Sequence, residues 1–193
     1  MDFYVFENFR LISDEEIRLI WEWRNHIEIR KWMYNQDLIP WDIHINFINK
    51  LKTDDTKQYW LVKRRNVALA VMSIIDIKDK MGEMGHYIAP VFHEKNLGVE
   101  LYYYSLEYLF NTFEIEKLYG YALTNNHAIN ALGNLFGYNK ELVTKEVNGI
   151  TCDFYARELS KETFFNKIQN HPKILKLLKL AGLEELWIQH PVL

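Results

Sequence analysis

Two stretches of the chain combine chemistry-bearing residues with turns able to present them. The first is Glu83–Leu101, E-M-G-H-Y-I-A-P-V-F-H-E-K-N-L-G-V-E-L. An alternating run there passes through a loop into a helical pattern beginning near Gly98. A helix starting at that point exposes unpaired N–H groups and the positive end of its dipole, which suits a pyrophosphate. Gly98 lets the backbone approach phosphates closely, and Lys95 adds a positive charge beside them. Upstream, period-two alternation places Glu83, Gly85 and Tyr87 on one strand face. A carboxylate at a strand end, directly or through water, can take the proton that an ammonium nucleophile must lose before attack. Tyr121, on the strand expected next to it, is placed to bond a substrate hydroxyl or to donate a proton. A backbone N–H near Ile88 would meet a developing oxyanion.

The second stretch lies early in the chain: Trp23-Arg24-Asn25-His26, then Ile29-Arg30-Lys31-Trp32-Met33-Tyr34, then His44 and Phe47. A guanidinium such as Arg24 pairs bidentately with phosphate. Trp32, Met33 and Tyr34 offer apolar and stacking surface for a base or a deoxy-sugar methyl. For each of these residues ordinary helix packing is the competing explanation. Metal and hydrolase chemistry find no support: the seven histidines show no His-x-x-x-His or Cys–His spacing, and there is no G-x-S-x-G.

The elements that must position these residues read as follows. Residues 2–12 alternate as a strand. Ser13 and Glu16 form a capping box for a helix carrying Ile17, Ile20 and Trp21. A second helical piece covers about 28–34, and Pro40 opens a third. Strands are expected at 59–63, 68–75 and 83–88, turning at Arg65-Asn66 and Lys80–Gly82. The Gly98 helix, a strand at 117–123, a helix at 126–135 ended by Gly137, and strands near 139–147 and 151–158 complete the series, with Asn148-Gly149 as a type I′ turn. The order predicts an α/β (α+β) domain with a mixed, mostly antiparallel sheet flanked by helices. We expect a domain over 1–159 and a helical C-terminal extension over 160–193, which either packs on the domain, pairs with another subunit or binds a surface.

The loop before Gly98 resembles the acyl-CoA motif of the GNAT superfamily, Gln/Arg-x-x-Gly-x-Gly/Ala. His93 stands in the place of Gln or Arg, Asn96 in that of the first glycine, and Gly98 fits the last position. Asn tolerates positive φ. Asn126–Tyr138, N-H-A-I-N-A-L-G-N-L-F-G-Y, is similar to the family's later signature, with Asn126, Leu132, Gly137 and Tyr138 matching in type and spacing. The tyrosine that often protonates the departing CoA thiolate in that family is replaced by Gly133. The early stretch is similar to that of the pseudaminic-acid pathway enzymes that acetylate the 4-amino group of a UDP-linked dideoxy sugar, over about residues 3–158. The resemblance implies a GNAT fold and transfer of acetyl from acetyl-CoA to an amine, without a metal. It implies that Ile88, His93, Lys95, Asn96, Leu97, Gly98, Val99, Asn126 and Asn130 hold the cofactor. It implies that Arg24, Asn25, Trp32, Met33 and His44 face a UDP-amino sugar, and that Glu83 and Tyr121 act on it. A peptide N-terminus or antibiotic amine as acceptor, and a non-catalytic acyl-CoA-binding module, are the competing expectations.

Bulk properties fit these expectations. With 49 % hydrophobic and 25 % charged residues the chain is globular in composition. A formal net charge of -3 gives no global pull toward nucleic acid or anionic membrane. Cys152 is the only cysteine, so no intrachain disulfide forms, and together with the lack of an export signal this points to the cytoplasm. A homodimer is compatible with the tail.

Overall fold

The computed structural model describes residues 4–93, 95–147 and 149–183. Tyr4–Asn8 forms β1, Asp14–Asn25 α1, Ile27–Arg30 α2 and Trp41–Leu51 α3. Three long strands follow: Gln58–Arg64 (β2), Val67–Lys78 (β3) and Met81–Ile88 (β4). A 3-10 turn, Pro90–Phe92, leads to Gly98–Asn111 (α4), then Lys117–Leu123 (β5), His127–Leu135 (α5), Asn139–Val147 (β6) and Ile150–Ser160 (β7). The helical tail has Lys161–Thr163 (α6), a wider π turn at Phe164–Ile168, and Pro172–Leu183 (α7).

Local chemistry sets the boundaries. The Ser13–Glu16 capping box forms as the sequence requires and starts α1. β1 is shorter than the expected 2–12 because Asn8 folds the chain back: its side chain accepts from the Arg10 N–H at 2.9 Å, and the Leu11 N–H donates to its carbonyl at 2.8 Å. The piece expected at 28–34 is one turn, Ile27–Arg30, capped by the His26 side chain. The turn between β3 and β4 is Asp79-Lys80, at φ 50° and 59°, rather than Lys80–Gly82. Gly82 is instead needed inside the strand, where a Cβ would press on Ile74. Arg65-Asn66 turns as expected, with φ 48° and 64°. Of the expected Asn148-Gly149 turn, Asn148 lies outside the described residues, while Gly149 has φ 76° and Val147 pairs with Ile150 across the turn.

Among the described residues seven strands form one sheet in the order β1-β2-β3-β4-β5-β7-β6. Every adjacent pair is antiparallel except β4 and β5. Side-chain parity divides the core between the two faces. On one face Leu61 and Val71 pack against Ile20, Trp23 and Ile48 of α1 and α3. On the other, Trp60, Val62 and Met72 pack under Leu101, Leu106 and Phe110 of α4. The tail joins this second layer, with Phe164, Ile168 and Ile174 buried in it.

The parallel pair is short, and the site depends on that. β4 and β5 pair only at Met81–Lys117, Gly82–Leu118 and Glu83–Tyr119. Beyond Glu83 they diverge, leaving Gly85–Ile88 paired with β3 alone. The β4 edge facing β5 therefore carries backbone N–H and C=O groups without a strand partner in the middle of the sheet.

Candidate active site

A cavity of about 830 Å³ opens where β4 and β5 separate and reaches both faces of the sheet. Its volume falls in the range of small-molecule sites. On the α1–α3 face stand Glu83, Tyr34, Arg24 and Tyr121, and on the α4–α5 face Asn126, Leu132, His86 and Arg157.

Glu83 lies at the last position of β4 that pairs with β5, so its carboxylate sits at the apex of the gap. Tyr34 Oη donates to Glu83 Oε1 at 2.8 Å. Burial raises the carboxyl above the ordinary carboxylate value, while the Tyr34 hydrogen bond and the nearby Lys145 charge pull it back down. A base whose proton affinity is raised in this way suits the task of accepting a proton from an amine. The Tyr34 hydroxyl is itself held well above the ordinary phenol value, by burial and by the Glu83 charge. Tyr121, two positions beyond Tyr119 on the same face of β5, lines the cavity with the Lys145 ammonium over its ring.

The loop between α2 and α3 walls the cavity on this face and is strapped down by side chains. Asn25 Nδ2 donates to the Ile39 carbonyl at 3.0 Å, and Asn25 Oδ1 accepts from the Ile39 N–H at 2.7 Å. Trp21 Nε1 donates to the same carbonyl at 2.7 Å. Arg24 Nη2 holds the Asn35 carbonyl at 2.8 Å, while its Nη1 is shut from solvent without a partner. Burial lowers the Arg24 guanidinium from its ordinary value, with Tyr87 and Tyr59 acting in the opposite sense. The strapped loop presents Trp32, Met33 and Tyr34 to the cavity, with the two aromatics partly exposed. His44 lines the same wall; its Nε2 meets the Ile17 carbonyl at 3.2 Å, and burial lowers its pKa.

On the opposite face, α4 begins at Gly98 with no side-chain cap, leaving its first N–H groups available. Asn96 adopts φ 55°, the left-handed conformation expected of it. Lys95, Asn96, Gly98 and Val99 form this turn outside the cavity wall proper, and Leu97 is buried beneath it. His93 Nε2 lies 2.9 Å from the Ile88 carbonyl, so it tethers the loop to the end of β4. Asn126 caps α5 by accepting from the Ile129 N–H at 3.3 Å and also lines the cavity.

The structure therefore gathers Glu83, Tyr121, Ile88, His93, Asn126, Arg24, Trp32, Met33 and His44 around one cavity. Two predicted binding residues are engaged elsewhere. The Asn25 carboxamide is used by Ile39. Asn130 donates to the Leu123 and Thr124 carbonyls, both at 3.0 Å, and accepts from Arg157. Sequence reasoning missed the Tyr34–Glu83 contact, which joins residues 49 apart, and it missed Arg157. The mid-helix Gly133 signalled the latter: a Cβ there would collide with the Arg157 guanidinium.

The family model described as an acetyltransferase (GNAT) domain matches residues 8–138. The chain belongs to this family of acetyltransferases. It is similar to the acetyltransferase PseH of Campylobacter jejuni subsp. jejuni serotype O:2, with 31 % identity over 121 residues, 63 % of this chain and 75 % of that protein. The crystal structure of Campylobacter jejuni N-acetyltransferase PseH in complex with acetyl coenzyme A matches with a TM-score of 0.63 and 25 % identity, over 82 % of this chain and 99 % of that one. Spermidine N-acetyltransferase from Vibrio cholerae, in complex with CoA and spermine, matches with a TM-score of 0.76, covering 84 % of this chain and 98 % of that one. At 18 % identity the latter likeness is one of fold.

Proposed function

We propose that this protein transfers an acetyl group from acetyl-CoA to the 4-amino group of a UDP-linked amino-dideoxy sugar, in the cytoplasm, by direct attack within a ternary complex. The observation that carries the proposal is the Tyr34–Glu83 pair at the apex of the gap between β4 and β5, on the opposite sheet face from the Asn126 side of the cavity. An acceptor amine approaching from the α1–α3 face meets the base, and a thioester arm entering from the α4–α5 face meets the unpaired edge of β4. That edge can bond the amides of a pantetheine arm as a strand would. The N–H groups at the start of α4 suit the CoA pyrophosphate. The similarity to PseH, and to its complex with acetyl coenzyme A, supports this donor and this acceptor class.

The amine nitrogen attacks the thioester carbonyl carbon, its proton passes to Glu83 directly or through water, and the CoA sulfur departs. Backbone N–H groups near Ile88 stabilise the oxyanion formed on the way. Arg24, with a buried Nη1 that lacks a partner, is suited to pair with the nucleotide diphosphate. Trp32 and Met33 supply the apolar wall for uracil and the deoxy-sugar methyl. A homodimer belongs to the same proposal, with β6, an edge strand whose Leu142 is exposed, as its contact.

The test is an acceptor panel with acetyl-CoA as donor and released thiol as readout. A UDP-4-amino-dideoxy sugar should be acetylated at least about 100-fold more efficiently than spermidine, an aminoglycoside or a peptide N-terminus. Arg24→Ala should raise KM for the nucleotide sugar with a smaller effect on kcat. Preference for peptide or polyamine would overturn the acceptor assignment, and binding of CoA without any turnover would overturn the enzymatic one.

A further inference from the structure

Acyl transfer of this kind creates one anion that neither Glu83 nor Arg24 is placed to meet, the CoA thiolate. We propose that Arg157 stabilises that thiolate as it departs, an assignment that rests on the acyl-transfer function proposed above. Arg157 is paired with Gly120 across β5 and β7, while Tyr119 and Tyr121 share the Glu83 face. Parity therefore sends its side chain to the face opposite the base. One glycine clears its path: α5 has Gly133 where any Cβ would strike the guanidinium. A glycine in the middle of a helix is disfavoured relative to alanine, so the helix forgoes stability for the space the guanidinium fills.

The guanidinium is built into this wall. Arg157 is only 8 % exposed and lines the cavity. Nη1 donates to the Ile129 carbonyl at 2.8 Å, Nη2 donates to Asn130 Oδ1, and Nε has no partner. Among the described residues no carboxylate pairs with it. The titratable groups facing it are Tyr102 from α4, Tyr138 beyond α5 and Tyr155 on its own strand, with the His86 ring of β4 against Tyr102. Burial holds Tyr102 and Tyr138 above the ordinary phenol value, so neither supplies a negative charge at working pH, and it pushes His86 down to about 4. A buried cation without a counter-charge is costly, and an anion formed in the cavity relieves that cost. The two diphosphates have other partners, at the start of α4 and at Arg24. The departing sulfur is the anion that remains.

The step balances without a proton donor on this face. The amine lone pair forms the C–N bond at the thioester carbonyl carbon, and the ammonium proton goes to Glu83. The carbonyl then re-forms, the C–S bond breaks, and its electron pair leaves on sulfur. Arg157 keeps its own proton, because a guanidinium stays charged throughout the working range. The thiolate takes a proton from solvent after release.

The experiment titrates the thiol of bound CoA by its ultraviolet thiolate absorbance, with desulfo-CoA as the blank. In the wild-type protein the thiol should titrate at least one unit below that of free CoA, a tenfold preference for thiolate. Arg157→Met and Arg157→Gln should return it to the free value, and Arg157→Lys should retain part of the shift. The Met variant should lose about 10²–10³-fold in kcat, with acetyl-CoA affinity within about threefold of wild type. The wild-type titration needs no variant, so a misfolded substitution leaves the test intact. An unshifted thiol in the bound wild type would overturn the assignment while leaving acyl transfer standing. So would an Arg157-dependent preference for succinyl-CoA over acetyl-CoA, which would make the guanidinium a partner for an acyl carboxylate. Failure of CoA to bind at all would overturn the acyl-transfer function itself, and this assignment with it.

Discussion

Glu83→Gln separates the two consequences of placing a carboxylate at the apex of the gap. The substitution keeps the side-chain shape, and a Gln oxygen can still accept from Tyr34 Oη, which lies 2.8 Å from the present Oε1. Only the charge is lost. A positioned general base contributes about 10²–10⁴ in rate, and Glu83 is half-buried, so we expect kcat to fall about 10²–10³-fold, or ~3–4 kcal/mol in activation free energy. Acetyl-CoA affinity should hold, because the turn before α4 is on the other face. Stability moves the other way. Burial holds the folded carboxyl above its unfolded value of 4.5, so within the window above that value the folded state binds the proton more readily than the unfolded chain. Stability then falls as pH rises through the window. At neutral pH the wild type bears the full cost of a partly desolvated carboxylate, and the Gln variant does not. The variant should therefore melt higher than wild type near neutral pH, and the difference should close as pH falls below 4.5. Melting temperatures across a pH series, beside steady-state turnover, measure both. Full turnover in the variant, or a melting temperature below that of wild type at neutral pH, would refute this account of Glu83.

Tyr34→Phe removes the hydrogen bond that lowers the Glu83 pKa; the acid limb of kcat/KM should shift to higher pH, with about a 10-fold loss at neutral pH, read from pH–rate profiles. Phe164→Ala empties a fully buried position in the tail and should cost about 3–5 kcal/mol by denaturant unfolding, whereas a tail merely appended to the domain would give almost no loss. Asn96→Ala should cost about 1–2 kcal/mol, because its φ of 55° is unfavourable for a Cβ without a local polar bond, and should weaken CoA binding by calorimetry; Asn96→Gly should stay near wild type. Gly133→Ala should destabilise the wild-type chain and be neutral or stabilising in an Arg157→Met background, a coupling that a double-mutant cycle measures directly.

The elements legible in the sequence were those with local causes. The Ser13–Glu16 box, the Pro40 start of α3, Lys117–Leu123 and the Asn126 cap all follow from residues within a few positions of one another. Boundaries went astray where a side chain redirected the backbone. Asn8 ended β1 early, and Asp79-Lys80 took left-handed φ values that composition would sooner have given to Gly82. The tail shows the limit of composition. Its crowded leucines and lysines look separable from the domain, yet Phe164, Ile168 and Ile174 are buried under α4. That burial depends on how β7 delivers the chain, a long-range fact with no local pattern.

For the site, motif spacing located the walls but not the bonds between them. Two signatures in order, with a strand between, fixed the neighbourhood of Asn96, Gly98 and Asn126. The later signature placed Asn130 at a ligand and the early resemblance placed Asn25 at one, although the Asn25 carboxamide bonds the Ile39 backbone and that of Asn130 bonds the Leu123 and Thr124 carbonyls and Arg157. The reason is physical: an Asn that straps a loop and an Asn that binds a ligand look alike in sequence, and only the partner distinguishes them. Gly133 is the opposite case. In sequence it is a missing tyrosine, a deficit in the leaving-group half of the reaction. In the fold it is the opening through which a buried guanidinium from β7 reaches the wall of the cavity. The space that a tyrosine would take on the helix is thus next to a cation from a strand. The rate should accordingly not fall at high pH, as it would if a tyrosine had to stay protonated; kcat/KM should rise through the ionisation of base and amine and then level off. A bell-shaped profile, with a descending limb in the phenol range that disappears in Tyr121→Phe, would return the leaving-group role to Tyr121 and leave Arg157 as packing.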